Sequence, residues 1–402
     1  MAPLFSVLLT IIAALVAAVV AVFFAEVIAA LTLGRRLSAI HANANTDFKG
    51  RIAVLVPAHN ESSGLLPTLE DIKRQLRPGD RVLVVADNCT DDTATVAAAA
   101  GADVIERHDP ARRGKGYALD YGIRHLSSAP PDILIMVDAD CRIAANAIPR
   151  LAGLCAATHR PVQALYLMAA PPNSKINHQV AEFAWRVKNW LRPLGLRALG
   201  LPCQLMGTGM AFPWEVIRSV DLANGWLVED LKLGLDLASQ GHPPLFCPSA
   251  LVSSQFGSSA KAARTQRERW ERGHIGMIVS TAPRLLFRSV AARNCNLLAL
   301  TFDLAVPPLS LLAMLVIGIV TITAVCAILG FSLSALLLSA TTLAAFVLAA
   351  FLAWLKCGRD VVPMGTVLSI PLYILGKLGL YRIKISNRTD EQWVRTDRTE
   401  SE

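Results

Sequence analysis

The chain has 402 residues, 53% of them hydrophobic, a mean hydropathy of +0.44 and a net charge of +8. That is too apolar for a purely soluble protein, and the basic residues form neither a long block nor an aromatic-interleaved run, which argues against a nucleic-acid partner. The eight cysteines are scattered with no Cys-x-x-Cys pair, so neither a zinc framework nor a disulfide scaffold is indicated and reduced thiols are the simpler reading.

Residues 3–33 form an apolar run whose only charge is Glu26, long enough to cross a bilayer with some tilt. Arg35-Arg36 follows the run instead of preceding it. This favours a span over a cleaved leader and places the following chain in the cytosol. After a polar linker at 35–50 the texture becomes that of a soluble α/β domain. Strand-like runs at 52–56, 81–85, 103–106 and 133–137 alternate with helix-like segments reaching 76, 100 and 126, which predicts a mainly parallel sheet with right-handed crossovers. The first strand carries no dinucleotide glycine fingerprint, and no Walker loop is present.

Polar residues gather where these strands end: Asn60-Glu61, Asp87, and Asp138-Ala139-Asp140. In open α/β sheets that edge holds the ligand crevice. Two carboxylates one residue apart suit a hard divalent cation that in turn holds a diphosphate. Asp91 and Thr93 fit helix capping as well as ligand binding. Lys115 lies between glycines in Arg112-Arg113-Gly114-Lys115-Gly116, a turn that either meets an anion or is simply solvated. Residues 180–199 have helical spacing and interspersed arginines, which fit the membrane interface or a core-facing helix equally, and Pro193 should kink them. Gly207-Thr208-Gly209 reads as a close backbone approach, and Glu229-Asp230 opens a helix. Gln266, Arg269 and Trp270 fall at i, i+3 and i+4 on one helix face. Further on, 297–329 and 331–355 read as two spans. Residues 361–381, interrupted by Pro363, Pro371 and Lys377, read as re-entrant or interfacial, which keeps the basic tail cytosolic.

Taken in order, Val-Pro-Ala-His-Asn-Glu, Ala-Asp-Asn-Cys-Thr-Asp, Asp-Ala-Asp, Gly-Thr-Gly, Glu-Asp and Gln-Arg-Glu-Arg-Trp, between Val54 and Trp270, resemble the membrane-bound family 2 glycosyltransferases of GT-A fold. Cellulose, chitin, hyaluronan and poly-N-acetylglucosamine synthases belong to that group. The resemblance implies an inverting hexosyltransferase using a nucleotide-sugar donor, a UDP-sugar first, with Mg2+ or Mn2+. It implies donor contacts from Asp87, Asp138, Gln266 and Arg269, to which the glycine-flanked turn adds Lys115 as a candidate, and metal binding by Asp138 and Asp140. It further implies a catalytic base at Asp230 and acceptor contacts from Trp270 and Gly207-Thr208-Gly209. Val228 stands where many polymer synthases have Thr, and Ala86 where many relatives have a further Asp, which loosens the match to any one synthase.

The expected organisation is an N-terminal span at 1–34, a linker at 35–50 and a cytosolic catalytic domain with interfacial helices at 51–280. Membrane helices with a re-entrant segment follow at 281–382, and a cytosolic tail at 383–402. The expected site of action is the cytoplasmic face of a multi-pass inner-membrane protein. The expected acceptor is a growing polysaccharide or a lipid-linked saccharide, with membrane lipids and an export or assembly partner around it. Transfer of one sugar to a lipid is the alternative, and a non-catalytic assembly subunit is disfavoured because Asp138, Asp140 and Asp230 are all present.

Overall fold

The computed structural model describes residues 2–34, 48–171, 176–223, 228–257 and 260–367. The chain divides into two compact units. One takes its described residues from 48–171 and 201–273, the other from 2–34, 176–200 and 274–367.

The first unit is built on an eight-stranded mixed sheet. Its strands are β1 (Ile52–Ala58), β2 (Arg81–Asp87), β3 (Asp103–Arg107), β4 (Ile133–Met136), β5 (Arg142–Ile143), β6 (Val162–Ala169), β7 (Met210–Pro213) and β8 (Leu245–Gln255). They lie in the order β3-β2-β1-β4-β7-β6-β8-β5. The β3-β2-β1-β4 half is parallel throughout, β7 runs antiparallel to both β4 and β6, and β6 pairs parallel with β8. The central strands are apolar along their whole length because helices cover both faces. All seven residues of β1 and all four of β4 are buried.

Leu55, Leu83 and Leu134 have no exposed surface, and each such burial contributes about 1.5–3 kcal/mol. Against this layer the helix Lys115–Leu126 sets Ala118, Leu119, Gly122, Ile123 and Leu126, the 3/4 spacing of a one-sided helix. Gly122 is there for closeness: a Cβ at that position would meet Leu55 Cδ1 at 2.4 Å. The predicted strand and helix segments therefore appear in order, and the parallel half of the sheet has the expected sense.

The second unit contains, among the described residues, three helices long and apolar enough to cross a membrane: Pro3–Thr32, Leu309–Ile328 and Leu333–Cys357. The run expected as a single span at 297–329 is broken. Cys295–Ala305 is a separate helix, and Pro307-Pro308 interrupts the chain before Leu309. Proline has no N–H to donate and disfavours a helical residue before it, so two in succession stop a helix.

Pro193 acts upstream of its own position. Between the helices Ile176–Arg186 and Arg192–Ala198 the chain takes a π turn at Val187–Leu191. This relieves the clash of the proline ring with the carbonyl four residues back. The same segment carries a buried ion cluster. Arg192 Nε donates to Glu26 Oε2 at 2.6 Å, and Nη2 donates to the Asp303 carboxylate at 2.5 Å and to its carbonyl at 2.8 Å. Of the re-entrant segment expected at 361–381, residues 368–381 lie outside the described residues, as do the Arg35-Arg36 linker and the basic tail.

Candidate active site

Because β1, β2 and β4 run parallel, their C-terminal ends open on one edge. Asp87 closes β2 with no exposed surface. Its Oδ1 accepts from Arg107 Nη1 at 2.5 Å, and its carbonyl accepts from His59 Nδ1 at 2.7 Å. Its Oδ2 is buried and has no hydrogen-bond partner among the described residues, an acceptor available to a ligand N–H. Arg107, from the end of β3, also reaches Asp109 Oδ2 at 3.2 Å and the Arg112 carbonyl at 2.9 Å, and lies 5.5 Å over the Tyr117 ring. Arg107, Arg112, Tyr117 and Tyr121 help line a cavity of about 330 Å³ beside it.

Just past the end of β4 come Asp138, Ala139, Asp140 and Cys141. One donor atom from each of Asp138, Asp140 and Cys141 lies within 4.8 Å of the other two. The Asp138 N–H donates to Thr208 Oγ1 at 3.0 Å, which ties the turn after β4 to the turn before β7. Lys115 is not on a solvated turn. Gly114, at φ 139°, lets the chain swing so that Lys115 is the first helical residue. Its Nζ forms an ion pair with Asp138 Oδ1 and donates to the Gly207 carbonyl at 2.7 Å.

Gly207, at φ 91°, sits where a Cβ would stand 3.4 Å from Asp230 Oδ2 and 3.7 Å from Lys115 Nζ. A side chain at this position would crowd the one point where Asp138, Lys115 and Asp230 converge. Asp230 lies in the first turn of the helix Glu229–Ser239, with Oδ1 accepting the Leu231 N–H at 2.8 Å. The 206–208 turn is held from beneath by buried Gln163 on β6. Its Oε1 accepts the Met206 N–H at 2.8 Å, and its Nε2 donates to the Thr208 carbonyl at 2.9 Å.

Three acids around one ammonium set the electrostatics. Burial raises the Asp138 carboxyl, and the Asp140 charge raises it further, against the pull of Lys115. Burial likewise pushes Glu229 up to about 7, opposed by Lys115 and reinforced by Asp230 and Asp138. Lys115 is disfavoured by burial, yet Asp138, Glu229 and Asp230 more than compensate, and its ammonium is held above the usual lysine range. Among the described residues these acids thus surround the Lys115 ammonium and hold it charged. The donor chemistry fits a divalent ion: two carboxylates from one turn, open enough to keep water or phosphate oxygens.

A family model described as "Glycosyltransferase like family 2" matches residues 50–273, more than half of the chain. The chain belongs to that glycosyltransferase family. The mixed, mainly parallel sheet is accordingly a GT-A-like domain, with one apolar helix long enough for a membrane before it and two after it.

Among curated relatives, the probable glycosyltransferase YdaM of Bacillus subtilis is 26% identical over 252 residues, 56% of this chain and 55% of that protein. This chain thus spans little more than half of that relative's length. The uncharacterized glycosyltransferase Mb0553 of Mycobacterium bovis is 31% identical over 196 residues, 43% of this chain and 85% of that protein. Among solved structures, the mannosyltransferase PcManGT from Pyrobaculum calidifontis, in complex with GDP-Man and Mn2+, is 18% identical with a TM-score of 0.46. The match covers 84% of this chain and 98% of that one.

Within this family-2 domain, Lys115, Asp138, Asp140, Gly207, Thr208 and Asp230 come together. Gly209 stands beside them and anchors the turn through its carbonyl, which accepts the Ala164 N–H at 2.8 Å. Asp87 sits at the same sheet edge, at the end of β2. Gln266, Arg269 and Trp270 lie on the helix Ala260–Ser280, with Gln266 buried and the other two half-buried. Asp91 and Thr93 serve the backbone. Asp91 Oδ1 accepts the Thr93 N–H at 3.1 Å, and Thr93 Oγ1 accepts the Glu61 and Ser62 N–H groups at 2.9 Å each. Sequence reasoning missed Arg107, Cys141 and Gln163. For Arg107 the available signal was its place at a strand end, two residues before Asp109.

Proposed function

We propose that the chain transfers a hexose from a nucleotide-sugar donor, a UDP-sugar first, to a saccharide or lipid-linked acceptor, with inversion at the anomeric carbon. The observation that carries this reading is the convergence of Asp138, Asp140, Lys115 and Asp230 at one sheet edge of a family-2 domain. The buried Oδ2 of Asp87, without a hydrogen-bond partner among the described residues, supports a role as acceptor of a base N–H. Asp138 and Asp140 would hold Mg2+ or Mn2+, which when bound supplies charge neutralisation of the departing diphosphate. The Lys115 ammonium adds a donor on the same side. Asp230, outside the carboxylate pair, is the group that takes the proton of the attacking acceptor hydroxyl. Gln266 and Arg269 close over the diphosphate, and the Trp270 indole offers an apolar face to a sugar ring.

The three apolar helices support a membrane location, and basic residues flanking them on one side support a cytosolic catalytic domain in the inner membrane. A second reading, transfer of a single sugar to a membrane lipid, is supported by the three candidate spans among the described residues, which are few for a polymer channel without an oligomer or an export partner.

The test is Asp230→Asn, which keeps size and hydrogen bonding but removes basicity. Transfer should fall by about 10²–10⁴-fold while nucleotide binding survives. Near-normal turnover in Asp230→Asn with loss in Glu229→Gln would move the base by one residue.

A further inference from the structure

We infer that Cys141 is a third, sulfur donor at the Asp138–Asp140 site, so that the site takes a thiophilic divalent ion such as Zn2+ in competition with the hard ion of the transfer reaction. The inference rests on the reading of Asp138 and Asp140 as metal-holding carboxylates and goes beyond it in assigning the sulfur.

The geometry carries it. Cys141 has no exposed surface, and a buried cysteine most often acts as a small hydrophobe. This one instead directs its Sγ at a carboxylate, 3.6 Å from Asp140 Oδ1. A tetrahedral ion with a Zn–O bond of about 2.1 Å and a Zn–S bond of about 2.3 Å has an O···S edge of about 3.6 Å. The two donors already stand at that separation. The third, on Asp138, completes a set whose members lie within 4.8 Å of one another.

A second contact orients the sulfur. Thr208 Oγ1 accepts the Asp138 N–H at 3.0 Å, so its single hydrogen is free to point at Cys141 Sγ, 3.6 Å away. Such an outer hydrogen bond is what holds and tunes a metal ligand. In the ion-free chain the thiol donates its hydrogen toward Asp140. When an ion enters, the S–H bond breaks, the proton passes to solvent, and a metal–sulfur bond forms in its place. Mg2+ prefers an oxygen octahedron and gains nothing from sulfur, whereas Zn2+ and Cd2+ gain a soft ligand. The site therefore ranks ions by softness, and thiophilic ions displace the working one.

The experiment uses the full chain purified in detergent. Cd2+ is titrated while the ultraviolet thiolate-to-cadmium absorption is followed, and displacement of bound Mn2+ is read by electron paramagnetic resonance. The wild type should bind Cd2+ with a thiolate band and release Mn2+ in step. Cys141→Ser and Cys141→Ala should lose that increment of absorption and bind Cd2+ at least about tenfold more weakly, since even an outer-shell partner is worth 10–100-fold in metal affinity. Both should retain Mn2+ binding, and their melting curves report folding separately. The remaining cysteines contribute a background common to all variants. Wild-type Cd2+ affinity and band in both cysteine variants would overturn the sulfur assignment, even where Asp140→Asn loses Mn2+. Unchanged Mn2+ binding in Asp138→Asn and Asp140→Asn would instead overturn the metal reading beneath it.

Discussion

Replacing Lys115 by Met should make the chain bind Mn2+ more tightly and transfer sugar more slowly. Lys115 Nζ is paired with Asp138 Oδ1, so the ammonium and an incoming divalent ion compete for one carboxylate. The Lys115 and Asp138 side chains keep 16% and 31% of their surfaces exposed, which makes an intermediate dielectric the right choice over that of a dry interior. At an effective dielectric of about 20, each pair of unit charges about 4 Å apart interacts by about 4 kcal/mol. Swinging of the flexible lysine stem relieves most of the repulsion felt by an entering ion. If only about 1.4 kcal/mol remains, Lys115→Met binds Mn2+ about tenfold more tightly in the absence of nucleotide. Calorimetric titration of Mn2+ at pH 8 lies above the value of about 7 to which Glu229 is pushed in the wild type. Loss of Lys115 raises that carboxyl further, so the titration is repeated at about pH 9 to keep proton competition out of the comparison. Transfer should fall in the same variant, because the proposed function gives this ammonium the role of a donor to the diphosphate. Mn2+ affinity equal to or weaker than wild type in Lys115→Met would refute this electrostatic account.

Glu229, raised from 4.5 to about 7 by burial and its acidic neighbours, binds a proton more readily folded than unfolded. Its contribution to stability is therefore full below about pH 4.5 and lost as pH rises through about 7, and melting curves of Glu229→Gln should be flatter over that window. Arg107→Ala releases Asp87 from its partner and leaves that carboxylate buried alone; nucleotide affinity measured by calorimetry should fall by about 1.5–3 kcal/mol, with kcat less affected than KM. Arg192→Leu strands Glu26 and Asp303 without their cation, and chemical or thermal unfolding in detergent should show a loss of about 3–5 kcal/mol.

The strand ends were legible because a buried parallel strand has to be apolar and a ligand edge polar. The transitions at Val56-Pro57, Ala86-Asp87 and Val137-Asp138 mark both. The role of Lys115 was only half legible: its charge and glycine neighbours pointed to an anion, but that anion is Asp138 in the same chain, supplied by a strand beginning eighteen residues later in the sequence. Gln163 was hidden, since one polar residue in an apolar strand looks like ordinary alternation until the Gly207-Thr208-Gly209 turn is folded over it. Cys141 was hidden for the opposite reason: its burial matches that of a core thiol, and only the direction of Sγ distinguishes it. The division of 297–329 was in plain view at Pro307-Pro308, but hydropathy averaged across it outweighed two residues that end a helix.

The central claim is that the carboxylates at this sheet edge move a sugar from a nucleotide to an acceptor. Membranes carrying the chain, or its Asp230→Asn variant, should be incubated with a panel of radiolabelled nucleotide sugars and Mn2+, and lipid-linked and polymeric products then separated. The account predicts label in one of these product classes from one donor, abolished by chelation and reduced by about 10²–10⁴-fold in Asp230→Asn. Label transferred equally by the wild type and the variant, or retained after complete removal of divalent ions, would contradict it.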